Sequence, residues 1–205
     1  MECLVGLALS LVLVAPLIKN SSEFIAKQIH YEKSQSLTAE ADRALELIGR
    51  AIRMAGYQNA NSAIASVRKN SSSNNYIQIQ KNSGYRGSDA LMVKHGISSG
   101  LDFDCIGNTL SKERTKNNLA QQGFLVDRQS SAPKGAKING GSLVCQSLDR
   151  QGRIQNTTLM NGIHYLSFEA LPASAGKAFK VTLEMTDGAS IHQRFERTFT
   201  ARNLL

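Results

Sequence analysis

Three patterns of hydrophobic and polar positions follow one another along the chain. Residues 3–18 carry no formal charge, and fourteen of the first eighteen positions are apolar. Such a run predicts a helix that is apolar on every side, suited to lipid or to a bundle of other helices. Its sixteen residues rise about 24 Å at ~1.5 Å each, several ångströms short of a hydrocarbon core of roughly 30 Å. Past Ile18 the pattern turns amphipathic. Leu37, Ala41, Ala44, Leu45, Ile48, Ile52 and Ala55 recur at spacings of three and four and form one stripe, with Glu40, Asp42, Arg43, Glu46, Arg50 and Arg53 on the other faces. Pro16 predicts a bend by removing one helical hydrogen bond. Gly56 predicts a left-handed helix end. A single rod from Glu2 to Ala55 would be about 80 Å long.

From Tyr57 onward the period becomes two. Strands are predicted at residues 76–80, 90–93, 124–126, 142–145 and 163–168. The clearest pair comes last: Phe179, Val181, Leu183 and Met185 alternate with polar residues, Asp187-Gly188 supplies a turn, and Ile191, Phe195 and Phe199 continue on a second strand. One face of this hairpin is apolar, and the helical stripe is the surface predicted to cover it. The Ser/Asn-rich stretch 59–75 and the Lys-, Gly- and Gln-rich stretch 111–141 predict loops. The fold class is therefore α+β, a long N-terminal helix whose distal half packs on an antiparallel β-sheet. Residues 1–18 are the hydrophobic transmembrane or assembly part, 19–56 the amphipathic remainder of the helix, and 57–205 a β-rich globular domain.

Charge belongs to that domain. Residues 19–56 hold six basic and five acidic side chains, whereas 57–205 hold eighteen and ten; with Glu2 these give the chain its net +8. Lys112, Arg114, Lys116, Arg128, Lys134 and Lys137 concentrate the excess, a pattern suited to an acidic partner, an anionic lipid surface or nucleic acid. No aromatics interleave with them, which disfavours specific nucleic-acid binding. Cys105 and Cys145, forty positions apart with no CxxC and no clustered histidine, make a poor zinc site. A disulfide in an oxidising compartment and a pair of buried thiols are the two readings left, and the first places the domain outside the cytoplasm. No nucleophile elbow, HExxH, phosphate loop or dinucleotide turn occurs. His30, His95, His164 and His192 are scattered, and Asp102 with Asp104 is an incomplete calcium set. An enzyme is not expected, nor a cofactor, a metal or a small-molecule substrate. Glu2 stands beside an apolar helix, where a carboxylate calls for a partner.

The opening Glu2-Cys3-Leu4-Val5-Gly6-Leu7-Ala8-Leu9-Ser10 resembles the N-terminal segment of type IV pilins and type II secretion pseudopilins. In that superfamily a basic leader is removed by prepilin peptidase, and Glu is the fifth mature residue. The resemblance implies that three mature residues and a leader precede Glu2, consistent with the short apolar run and the lack of a basic flank before it. Arg53-Met54-Ala55-Gly56-Tyr57 resembles the helix-ending signature of PilW-type minor pilins. The surroundings of Cys105 and Cys145 and the closing Arg197-Thr198-Phe199-Thr200-Ala201-Arg202-Asn203-Leu204-Leu205 are similar to that family's pattern. The resemblance implies a type IV pilin-like fold and a minor pilin that helps to initiate pilus assembly in a tip complex. Its partners would be other minor pilins and the major pilin, with the inner membrane holding the helix before assembly and the globular domain in the periplasm. Glu2 would pair with the N-terminal amine of a neighbouring subunit. Two alternatives use the same rod: a J-type minor pseudopilin of a type II secretion system, and a minor pilin that captures DNA for transformation.

Overall fold

The computed structural model describes residues 2–58, 76–98, 102–116, 119–129, 133, 140–172 and 177–204; within the helix, side chains are described at Val14 and from Leu17 onward. Helix α1 (Glu2–Met54) runs for 53 residues without interruption at Pro16. The stripe expected to be buried is buried: Ala41, Ala44, Ile48, Ile52 and Ala55 are inaccessible, with Leu37, Leu45 and Ala51 nearly so. Gly56 ends the helix at φ +75°, the left-handed conformation that glycine adopts without a Cβ penalty.

Seven antiparallel strands follow: β1 (Ile77–Gln80), β2 (Ala90–Gly96), β3 (Leu119–Arg128), β4 (Gly141–Leu148), β5 (Ile154–Leu171), β6 (Lys177–Thr186) and β7 (His192–Ala201). They lie in one sheet in their order along the chain, so every strand pairs with its sequence neighbour. The final hairpin is as predicted, with β6 and β7 in register from Lys177↔Ala201 to Thr186↔His192 around the Asp187-Gly188 turn. The loop expected over 111–141 is corrected by β3. Its Ala120, Gln122, Phe124 and Val126 are buried while Leu119, Gln121 and Leu125 are less so, a real alternation masked by polar and glycine positions. The loop expected over 59–75 lies outside the described residues.

Helix α1 lies on the sheet chiefly against β7 and β6. Leu91, Val93, Phe124, Val126, Leu143, Ile163, Leu166, Phe168, Val181, Leu183 and Met185 meet the helical stripe in one core. Each large side chain so buried contributes about 1.5–3 kcal/mol. The layers touch closely at Gly49, where an added Cβ would fall 2.6 and 2.7 Å from Cδ1 and Cζ of Phe199.

Strand β5 serves both halves of the sheet. Its first half pairs with β4 from Ile154↔Leu148 to Ile163↔Gly141, and its second half pairs with β6 from Ile163↔Met185 to Leu171↔Ala178. Register shifts mark the change of partner, and Gly162 sits there at φ +80°. Beyond Ile163 the edge that β4 has left is closed by the segment entering β2. Asp89 donates its N–H to Leu166 O and accepts the N–H of Phe168 at Oδ2, Ser88 Oγ accepts the N–H of Leu166, and Lys81 Nζ donates to both Asp89 and Phe168 O. These bonds satisfy backbone groups that would otherwise be buried without partners.

Candidate functional site

The most distinctive surface is the part of α1 that leaves the sheet. Every residue from Leu17 to Lys33 is exposed, and Ser34 is where contact with the sheet begins. Gln193 Nε2 donates to Ser34 Oγ at 2.6 Å, Thr38 Oγ1 donates to Gln193 Oε1 at 3.3 Å, and Lys33 Nζ lies 4.0 Å from Asp187. Asp187 is a turn carboxylate. The N–H groups of Ile191 and Ala189 hold its pKa below the usual carboxylate range, aided by that of Ser190 and by the charge of Lys33.

Leu17, Ile18, Phe24 and Ile25 on the free part are 63, 65, 69 and 55% exposed, and exposed apolar residues grouped in this way, unlike single ones, mark a surface that a partner covers. At ~100° per residue, Val14, Leu17, Ile18, Phe24, Ile25 and Ile29 fall within a single arc, and that arc lies roughly half a turn away from the stripe buried on the sheet. The helix therefore has two faces rich in apolar residues: a distal one covered by its own domain, and a proximal one, shared with Ser21, Gln28 and Glu32, turned the opposite way. Lys19, Glu23 and His30 occupy the line on which the buried stripe would otherwise continue. Among the described residues, no helix carries a stretch long and apolar enough to cross a membrane. Glu2 belongs to α1, and its side chain lies outside the described residues.

At the other end of α1, Arg53, Met54, Ala55, Gly56 and Tyr57 form a junction. Arg53 pairs with Glu46 at 2.8 Å and stands 5.7 Å over the ring of Phe199, while its carbonyl accepts from Asn203 Nδ2 at 3.1 Å. The Met54 carbonyl accepts the Tyr57 N–H, Gly56 donates to Lys94 O, and Tyr57 O accepts the Gly96 N–H at 2.6 Å. Ala55 is fully buried. A Cβ on Gly56 would meet Leu204 at 2.5 Å and Asn203 O at 3.0 Å. The five residues thus fasten the helix end to β2, to Phe199 of β7 and to Asn203 and Leu204.

A disulfide joins Cys105 to Cys145 with their Cα atoms 6.2 Å apart, tying the 102–110 loop to β4. Beside it Arg114 and Asp104 make a buried ion pair at 2.7 Å. Arg114 also donates from Nε to Leu148 O and from Nη1 to Thr109 O, and Asp104 accepts the N–H groups of Ile106 and Asn108. A buried pair so fully bonded is a fastening, and deleting either partner would cost about 3–5 kcal/mol. This corrects the basic patch read from the sequence: Arg114 is not available to a partner. Lys112, Lys116 and Arg128 are exposed, and Lys134 and Lys137 lie outside the described residues. Asp102 and Asp104 do not converge either, since Asp102 accepts the N–H and O–H of Ser98.

The histidines have separate fates. His30 is exposed on the free helix. His164 and His192, from β5 and β7, meet edge to face with centroids 5.2 Å apart, and Arg86 Nη1 lies 3.2 Å from His164 Nδ1. His95, on β2, is 2% exposed, and its Nδ1 has no hydrogen-bond partner among the described residues. It faces a cavity of about 10 Å³ between the helix end and the disulfide-tied loop, lined by Arg50, Ala51, Met54, Asp102, Phe103 and Gln122. No group of three or more potential metal ligands occurs among the described residues.

Comparison with known proteins finds no matching family model, no matching curated sequence and no matching solved structure.

Proposed function

We propose that the chain is a minor pilin of the PilW type, a structural subunit that helps to start assembly of a type IV pilus. One observation carries this reading: a single helix presents one apolar face to its own sheet and an oppositely directed, exposed apolar face over the part that leaves the sheet. A monomer gains nothing from the second face, whereas a filament core of packed helices would cover it with the globular domain held outside. The α+β architecture, the disulfide and the helix-end junction accord with the family to which the sequence is similar. The inner membrane would hold the free helix before assembly, and Glu2 would neutralise a neighbouring subunit's amine in the apolar core. A tip complex with other minor pilins is the proposed destination.

The test uses Phe24→Glu with Ile25→Glu, introduced into the native gene of a strain that needs this subunit for piliation. Both positions are exposed, so thermal stability of the globular domain is expected to stay unchanged while surface pili fall to the level of the deletion strain. Normal piliation and normal co-purification with other minor pilins would overturn the reading.

A further inference from the structure

The exposed part of α1 carries a finer pattern than an apolar arc. Val14, Leu17, Ser21, Phe24, Gln28 and Tyr31 follow one another at alternate steps of three and four, and all of them are exposed. Such steps average about 3.5 residues, the period at which one line of side chains stays turned towards a partner helix. In heptad terms Val14, Ser21 and Gln28 take position a, while Leu17, Phe24 and Tyr31 take position d. The line ends where the domain begins. Gln35 is the next a position, and at the d position after it Thr38 is part-buried and donates to Ser34 O and to Gln193. Lipid calls for something else, a helix apolar on every side, and here Lys19, Glu23, Lys27 and His30 stand on the other faces.

The charges beside the line decide which helix fits it. In a parallel pair, position g of one helix lies next to position e of the following heptad on the other, and opposite charges there set partner and orientation. Lys27 is the g position before Gln28, and Glu32 is the e position after Tyr31. A second copy in register therefore brings Glu32 to Lys27 and Lys27 to Glu32, a match on both sides of the seam. The other e positions are Ile18 and Ile25, which widen the apolar contact. Gln28 Nε2 donates to Glu32 Oε1 at 3.0 Å and Gln35 Nε2 donates to Tyr31 Oη at 2.7 Å, so side chains along the seam are already ordered by their own helix. A polar side chain at an a position costs a two-stranded coiled coil stability and fixes its register. Gln28 stands where it would do so.

We infer that residues 14–35 pair with the same residues of a second copy of this chain as a parallel, in-register, two-stranded coiled coil. The domains leave room for it. Ser34 and Lys33 meet Gln193 and Asp187 on the side of the helix away from the seam, and the stripe buried on the sheet continues on that side. A two-fold axis along the seam thus sends the two domains outward in opposite directions, while the uncharged runs 3–18 point the same way. The pair deepens the proposed function by naming the occupant of the exposed face, and it rests on the reading of that face as one covered by helices.

Oxidative cross-linking in the native membrane measures the pairing. The full-length gene carries Cys3→Ser, which leaves only the bonded Cys105 and Cys145, and then one further substitution at a time. Ser21→Cys and Gln28→Cys set like positions face to face across the seam. Each is expected to give about ten times more disulfide-linked homodimer than Glu23→Cys or His30→Cys, which lie on the opposite side of the helix. All of these sites are exposed, so the domain folds in every variant. Added to Ser21→Cys, Lys27→Glu or Glu32→Lys alone is expected to lower the yield about threefold, and the two together to restore it. Equal yields at every site, no homodimer from Ser21→Cys and Gln28→Cys, or products that hold a different protein in place of the second copy overturn the inference. Homodimer in a strain that keeps its pili with Phe24→Glu and Ile25→Glu supports the pair and removes the assembly role. Loss of pili in that variant with no homodimer from the cysteine variants does the reverse.

Discussion

Replacing Gly49 by alanine sets two energies of similar size against each other. In an exposed helix the change would be favourable by about 1 kcal/mol, since glycine is the poorest helix former after proline. Here the new Cβ falls 2.6 Å from Cδ1 and 2.7 Å from Cζ of Phe199 and nearer still to Cε1. Ordinary carbon contacts are about 3.5–4.0 Å, so the ring must withdraw by roughly 1 Å. It has little freedom to do so, being 8% exposed and covered by Arg53. Overpacking of this kind costs about 1–3 kcal/mol. The expected balance is a net loss of about 1 kcal/mol, seen as a Tm lower by roughly 2–4 °C in a chain of this size. Scanning calorimetry of Gly49→Ala, Phe199→Leu and the double variant separates the terms. Shortening the ring should make the alanine favourable, giving a coupling energy above about 0.5 kcal/mol. If Gly49→Ala alone raises Tm and its effect adds to that of Phe199→Leu, the close contact between helix and sheet is refuted.

Reduction of the Cys105–Cys145 bond releases a loop of 40 positions and should lower unfolding free energy by about 4 kcal/mol from loop-closure entropy. Urea denaturation with and without a reductant measures it, and coincident curves would exclude the bond. Asp187→Ala removes a carboxylate whose folded pKa is lowered first by the N–H of Ile191 and then by that of Ala189. Its contribution is present above about pH 4 and is lost as pH falls further, so wild type and variant should converge in stability on going from pH 6 to pH 2; a gap of constant size over that range would count against this account of the turn.

The helix and its buried stripe were legible because spacings of three and four persist over the nineteen residues from Leu37 to Ala55, and Gly56 stands where they stop. The final hairpin was legible for the same kind of reason, alternation interrupted by Asp187-Gly188. Strand β5 was seen only in its second half. Residues 154–158 are largely exposed, so no alternation is imposed on them, and Ile-Gln-Asn-Thr-Thr carries no signal of which side pairs. The role of Asp104 was hidden for a different reason: its partner Arg114 is ten positions away across a turn, and nothing local distinguishes it from the exposed Lys112 and Lys116. His164 and His192 meet only because β6 lies between their strands, a fact of pairing order. Gly49 read as an ordinary helical glycine, since the ring that requires it comes 150 positions later.

That last separation bears on how the molecule is made. Each strand pairs with the one before it, so the sheet can zip up hairpin by hairpin as the polypeptide emerges. The helix is synthesised first, yet its main partners come last. Asp42 meets Arg197 across 155 positions, and Arg53 meets Asn203 across 150. Until the ribosome has passed β7, the apolar stripe of α1 and the inner face of the growing sheet lack their main cover. A chain that stalls or is clipped before His192 therefore lacks the strand that α1 chiefly contacts, and much of both surfaces stays uncovered.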